Sequence, residues 1–257
     1  MSEKINILVV THKKFKLNLP DCYIPIVVGK QKEEVSFPKF YSDRSGESIS
    51  EKNRHYCELT AYYWAWKNLN SEIIGIVHYR RLLLNTKNKK WLSEKEIREN
   101  LERKKAILPK KRNYFIETTW THYENNHNIN DLIEVKKIIR KKYPEYLRDF
   151  EIVMNRTNGH RFNILIMNKK EFDLYCDWLF SILFELEKKI DISKYDSYQT
   201  RVFGFLSERL LDVWIQKNDI SYTEKKVKFV GNEEWGKKIS RFLKNKIKST
   251  KVSRAYF

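Results

Sequence analysis

Apolar residues in this chain fall into short, nearly unbroken runs that alternate with longer stretches of helical spacing. Ile5 to Val10 (INILVV) and Ile73 to Tyr79 (IIGIVHY) have strand length and almost no polar interruption, the pattern of strands buried on both faces. Ala106 to Pro109 and Arg161 to Met167 (RFNILIM) read as two more strands. Asp21 to Pro38 mixes short apolar runs with proline and Gly29, which predicts short strands and turns, and Tyr41 to Ser50 is a polar loop. A helix fits Glu51 to Leu69, where Tyr56, Leu59, Tyr63 and Trp66 recur at helical spacing behind a Ser50 cap. Ser93 with Glu96 forms a capping box for a helix to about Lys105, and Asp131 to Tyr143 is a further helix. Asn168 with Glu171 opens a long helix with Phe172, Cys176, Leu179 and Leu183 on one face. A last core helix spans Ser197 to Lys217 through Phe205, Leu206, Leu210, Val213 and Trp214. Alternation of this kind predicts an α/β domain around a mainly parallel central sheet flanked by helices.

Composition agrees. The chain has 257 residues, 41% of them hydrophobic, with 14 Phe, 15 Tyr and 7 Trp, enough for a sizeable core. Seven Gly and five Pro exclude collagen-like and disordered classes. Three well-separated cysteines form no C-x-x-C pair, which removes the usual zinc and thioredoxin motifs and fits a reducing compartment. No stretch has the length of a secretory leader core or of a membrane span, so a cytoplasmic chain that does not cross the bilayer is expected.

Charge changes the picture more. The net charge of +18 admits nucleic acid, an anionic membrane or a phosphorylated substrate as partner. Residues 236–257 carry eight Lys/Arg and no acid. There Ile239, Phe242, Leu243 and Ile247 make one apolar stripe on a basic amphipathic helix, suited to anionic headgroups or to capping the core. The expected organisation is therefore a domain over 1–235 and a basic tail over 236–257.

Ligands of open α/β sheets bind beyond the carboxyl ends of strands. Two such ends are densely polar: Thr11-His12-Lys13 and His78-Tyr79-Arg80-Arg81. The adjacent arginines match phosphate oxygens, or else pair with carboxylates at a solvated strand end. Asn158-Gly159-His160-Arg161-Phe162-Asn163 is a polar turn entering a strand, in which His160 and Asn163 can meet sugar hydroxyls or move protons, or simply turn the chain. Glu208 and Arg209 lie among core positions of the last helix, either as a structural pair or around a catalytic carboxylate. Glu58, on an otherwise aromatic helix, is an acid to be paired. There is no phosphate-binding glycine loop, no H-E-x-x-H, no G-x-S-x-G and no Asp-x-Asp.

The succession SEKNRHYCELTAYYWAWKN, IIGIVHYRRLL, NGHRFNILIMNKKEFDLYCDWLFSILFELEKKIDIS and YQTRVFGFLSERLLDVWI resembles a bacterial family of capsular and exopolysaccharide glycosyltransferases, long filed as a domain of unknown function. The likeness spans about Ile5 to Lys228. It implies a GT-A-like nucleotide-diphosphosugar transferase fold and transfer of a hexosyl unit from a UDP-sugar, with galactofuranosyl or galactosyl as candidates. The acceptor implied is a lipid-linked oligosaccharide at the inner face of the membrane. By the same analogy Thr11, His12, Lys13, Asp43, Asn53, His78, Tyr79, Arg80 and Arg81 bind the donor, and Asn158, Arg161 and Asn163 the acceptor. Glu208 is the first choice of general base, followed by His160 and Asp196. Arginine in place of an Asp-x-Asp implies an enzyme needing neither a metal nor a cofactor. Two other classes fit the charge: a nucleic-acid-binding protein, disfavoured because the aromatics sit on apolar helix faces, and an inactive membrane-docked scaffold.

Overall fold

The structure, a computed structural model, describes residues 4–30, 35–85 and 90–230. The basic stripe expected over 236–257 lies outside them. The chain opens with β1 (Ile5–Thr11), β2 (Tyr23–Val27) and β3 (Tyr41–Ser42), then α1 (Asn53–Tyr56) and α2 (Leu59–Asn68). β4 (Ile73–His78) and β5 (Arg81–Leu84) follow, joined by a turn at Tyr79–Arg80, and then α3 (Glu94–Leu101), β6 (Ala106–Pro109) and β7 (Arg112–Asn113). A helical stretch holds α4 (Thr119–Glu124), α5 (Ile129–Lys142) and α6 (Leu147–Met154). The chain closes with β8 (Asn158–Gly159), β9 (Leu165–Asn168), α7 (Lys169–Glu187), α8 (Val202–Lys217) and β10 (Tyr222–Phe229).

β3, β2, β1 and β4 run parallel, in that order. β9 lies antiparallel to both β4 and β6, β6 parallels β10, and β10 is antiparallel to β5. The sheet is therefore mixed rather than mainly parallel. The cause is local: β9 leaves a turn hydrogen-bonded to β7, beyond the carboxyl end of β4, and must run back down the sheet. Arg161 to Asn163, expected as strand, belong to this turn, with φ of 76° at Phe162 and 46° at Asn163. Arg81 to Leu84, to which the sequence pattern assigns no element, reverse and form β5.

Side chains along β1 alternate between two cores. Leu8 and Val10 face the larger one, built with α2, α5, α6, α7 and α8. Ile5, Ile7 and Val9 face a smaller one that includes Ile97 and Leu101 of α3. Burial on both faces explains the continuous apolar run. Phe172, Cys176, Leu179 and Leu183 of α7 are buried as expected, and so are Tyr175, Trp178 and Ile182, because α2, α5 and α8 also pack on α7. The Ser93–Glu96 capping box is present.

The helix expected over Glu51–Leu69 is broken. Ser50 to Lys52 form a 3-10 turn, and Cys57 adopts φ 52° between α1 and α2. Ser50 does not cap the helix; its hydroxyl donates to Asp43 Oδ1 at 2.6 Å. Asn53 bridges the break, its amide donating to the Cys57 carbonyl (2.7 Å) and Thr60 Oγ1 (3.0 Å). Gly29, just past β2, has φ +66°, and a Cβ there would stand 2.5 Å from Asn53 Oδ1. Its N–H donates to both oxygens of Asp43, at 3.0 and 3.2 Å. Gly29→Ala should therefore lose at least about 1–2 kcal/mol, the cost of a left-handed L-residue. Urea denaturation would show a lower midpoint at unchanged slope.

Candidate active site

β1 and β4 are parallel neighbours, so their carboxyl ends open on the same edge. Thr11 is buried there, its hydroxyl donating to the Lys13 carbonyl at 2.6 Å, which turns the chain so that His12 and Lys13 point outward. Tyr79 is the hub of this edge. The His12 ring meets it edge-on at 5.6 Å, and Lys13 and Arg80 lie over it at 5.8 and 5.1 Å. Burial, then Arg80 and Lys13, push the His12 pKa below its ordinary value, so the imidazole is largely uncharged at neutral pH. Beside it a cleft of about 620 Å³ opens between Phe15, Tyr23 and Phe37.

The end of β4 carries the second half of the edge. Burial and the Arg81 charge hold His78 down to about 3, a hydrogen bond with the Phe162 backbone acting the other way. His78 is thus neutral, with Nε2 buried and unpartnered among the described residues. Arg81 lies over the Phe162 and Phe229 rings at 4.6 and 5.8 Å, and its Nε is likewise buried without a partner. Arg201, ahead of α8, adds a third guanidinium, donating to Cys57 Sγ at 3.2 Å. Among the described residues no carboxylate forms an ion pair with Arg80, Arg81 or Arg201. A polar edge with unpaired guanidiniums and an uncharged imidazole is built to receive an anion.

Glu58, the N-cap position between the break at Cys57 and α2, faces this cation cluster. It is half-buried, and one carboxylate oxygen accepts the Asn163 amide at 2.7 Å. Burial raises its pKa; the Asn163 hydrogen bond and Arg201 work against that, and Glu208 adds to it. A raised carboxylate at a ligand edge has the character of a proton acceptor.

α8 clamps the 158–163 turn residue by residue. Glu208 and Asp212 are one helical turn apart and face the same way. Glu208 accepts from Arg161 Nη1 (2.8 Å), the Phe162 N–H (2.9 Å) and Arg209 Nη1 (3.2 Å). Burial raises its pKa, but Arg161 and Arg209 outweigh that and hold it below the ordinary range. Asp212 accepts the His160 N–H at 2.9 Å and bonds the His160 Nδ1. Ser207 donates to Asn163 Oδ1 (2.9 Å), while the Asn163 amide also reaches the Gly204 carbonyl (3.0 Å) and Tyr62 Oη donates to the Asn163 carbonyl (2.8 Å). Two consecutive left-handed non-glycine residues persist because so many partners fix them.

This arrangement sorts the expected residues. Thr11, His12, Lys13, His78, Tyr79, Arg80 and Arg81 converge on one edge. Asp43 is wholly buried, its carboxylate spent on Gly29 and Ser50, and Asn53 is spent on the Cys57 break; both shape the edge from behind. Arg161 and Asn163 turn inward to Glu208 and Glu58, and Asn158 pairs with Asn113 in the β7–β8 ladder. Of the three expected bases, Glu208 is occupied by cations and His160 is buried on Asp212. Asp196 is exposed and accepts the N–H groups of Tyr198 and Gln199. Arg201 and Asp212 were not foreseen; Asp212, four residues after Glu208, carried a usable signal in the spacing of two acids on one buried helix face.

Among the described residues no group of three His, Cys, Asp or Glu stands close enough to hold a metal ion, and no helix is long and apolar enough to cross a membrane. No curated protein matches the chain. A solved structure described as the apo form of the bifunctional glycosyltransferase WbbM is similar, with a TM-score of 0.81 at 30% identity. The match covers 89% of this chain and 46% of that one, so this chain spans about half the length of that protein. The family model described as a domain of unknown function, DUF4422, matches residues 6–219. With most of its length under that model, the chain belongs to the DUF4422 family.

Proposed function

We propose that this chain is a glycosyltransferase of GT-A-like fold that moves a hexosyl unit, galactofuranosyl or galactosyl, from a UDP-sugar to a lipid-linked glycan acceptor. The observation that carries the reading is the unpaired cationic edge of Arg80, Arg81 and Arg201 around a neutral His78, opposite Glu58. The likeness to a bifunctional glycosyltransferase over 89% of the chain supports it. The Phe15–Phe37 cleft has the aromatic walls a uracil ring requires, and Lys13 with Arg80 leads from it to the diphosphate.

In an inverting transfer, the acceptor hydroxyl oxygen bonds to the anomeric carbon of the donor. The bond from that carbon to the diphosphate oxygen breaks, and its electron pair leaves on UDP. The hydroxyl proton passes to Glu58, in preference to Glu208, whose oxygens already serve two guanidiniums and a backbone N–H. Arg81, Arg80 and Arg201 meet the charge that develops on the leaving diphosphate, and His78 contributes a neutral hydrogen-bonding atom without adding charge of its own. Supplying that charge from arginine makes the reaction independent of a divalent metal. A lipid-linked acceptor places the enzyme at the inner membrane face in capsule or exopolysaccharide synthesis, with the basic 236–257 segment as anchor.

UDP should raise the melting temperature of the wild-type chain but not of Arg80→Ala or Arg81→Ala. Transfer from UDP-sugars should persist in EDTA. Loss of turnover on chelation, restored by manganese or magnesium, would assign the charge to a metal instead. Equal UDP protection of all three proteins would move the diphosphate away from this edge.

A further inference from the structure

The loop after β7 presents two large apolar side chains to solvent. Phe115 is 80% exposed and Ile116 96%, whereas Tyr114 beside them is buried. Isolated exposed apolar residues are ordinary on protein surfaces. This pair differs in being held out by a fixed scaffold. Arg112 and Asn113 pair with Gly159 and Asn158, and the Tyr114 N–H donates to the Thr157 carbonyl at 2.7 Å. The Phe115 N–H donates to Asn113 Oδ1 at 2.7 Å, in a backbone with φ 62°. A bulky side chain in the left-handed region is uncommon and persists only where its surroundings impose it.

The charge in the segment leading into the tip has one sign. Lys110, Lys111 and Arg112 lead into it, and no acid lies between Lys110 and Ile116. The next residue, Glu117, is turned back into the protein, accepting from the Asn125 amide at 2.9 Å and contacting His122 Nδ1 at 2.8 Å. Apolar side chains projecting beyond a cationic collar match a bilayer with anionic headgroups, where the rings and methyls enter the acyl boundary and the cations stay at the phosphates.

We propose that the Arg112–Ile116 tip is a membrane-docking wedge, Phe115 and Ile116 entering the headgroup region of an anionic bilayer while Lys110 and Arg112 hold the surface. Its position gives the docking a use, which rests on the transferase reading. Tyr114 lies under the Arg161 guanidinium at 5.0 Å, and Arg161 pairs with Glu208, so the wedge is one residue from the cluster that shapes the candidate site. Docked there, the edge is held close to a lipid-borne acceptor.

The test uses the full chain and no sugar nucleotide, so failure of the transferase reading leaves it intact. With phosphatidylglycerol vesicles, Phe115→Trp should add a blue-shifted emission over the seven native tryptophans, quenched by lipids carrying a nitroxide in the upper acyl chain. Phosphatidylcholine vesicles should produce neither effect. A second variant, Phe115→Asn with Ile116→Ser, puts at residue 115 a side chain that tolerates positive φ, so its melting temperature should be kept or raised. That variant should bind the anionic vesicles at least about tenfold more weakly than wild type, the order expected for two lost apolar insertions. A tryptophan that stays water-exposed while the protein sediments with vesicles overturns the wedge. So does equal sedimentation of the double variant and wild type, or a full chain that ignores anionic vesicles altogether.

Discussion

Glu208→Gln is expected to cost stability rather than chemistry: a loss of about 3–5 kcal/mol, the range for breaking a buried ion pair from one side. At roughly 2–4 °C per kcal/mol for a domain of this size, the melting temperature should fall by on the order of 10 °C. The reason is what the variant leaves behind. The Arg161 and Arg209 side chains are 9% and 3% exposed, and Glu208 is their ion-pair partner. A glutamine keeps an acceptor for the Phe162 N–H but removes the charge that compensates two guanidiniums. The pH dependence follows from the depressed pKa. Glu208 contributes stability fully above its ordinary value of 4.5, and that contribution disappears as pH falls through the lower folded value. The gap in melting temperature between wild type and variant should therefore be widest at neutral pH and close in acid. Were Glu208 the base instead, turnover per folded molecule would also fall, by at least about a hundredfold.

That distinction shows where sequence reasoning stops. Glu58 and Glu208 look alike along the chain, each an acid among apolar helical positions. What separates them is the group each one meets. Glu208 takes the cation of Arg161, 47 residues away, whereas the side-chain partner of Glu58 among the described residues is the neutral amide of Asn163, 105 residues away. Neither pairing has a local signature. The strands β1 and β4 were legible because burial on both faces leaves an uninterrupted apolar run, and the polar residues at their ends marked the edge that the structure brings together. β10 was not legible: YTEKKVKF is partly exposed along most of its length, so its polar residues mask the alternation. The break at Cys57 and the left-handed pair Phe162–Asn163 were hidden for a related reason. Both sites hold non-glycine residues at positive φ: the Asn53 amide bridges the first through hydrogen bonds to nearby Cys57 and Thr60, and α8 fixes the second from across the fold. Local pattern predicted regular structure at both, and side-chain hydrogen bonds overrode it where the candidate site is assembled.

Glu58→Gln should give the opposite pair of results from Glu208→Gln. As the proton acceptor of the proposed transfer, its loss should lower turnover by about 10²–10⁴-fold. Its melting temperature should hold or rise at neutral pH. Burial raises the Glu58 pKa, so the folded state favours the protonated form. The stability linked to that form is complete below the ordinary carboxylate value and is lost as pH rises through the folded one. A glutamine cannot ionise, so its advantage over wild type grows with pH. The same raised pKa should appear in catalysis as an acidic limb in kcat/KM lying above the ordinary carboxylate value of 4.5. Asn163 adjusts it. Its amide hydrogen bond favours the ionised carboxylate, so Asn163→Gly, which keeps the left-handed backbone accessible, should move the limb to higher pH. A structural Glu58 predicts otherwise: turnover per folded molecule would be kept in Glu58→Gln, and the limb would stay in place in Asn163→Gly. Measuring melting temperature and kcat/KM across pH for Glu58→Gln and Glu208→Gln together assigns the base, because only the variant of the base loses turnover per folded molecule.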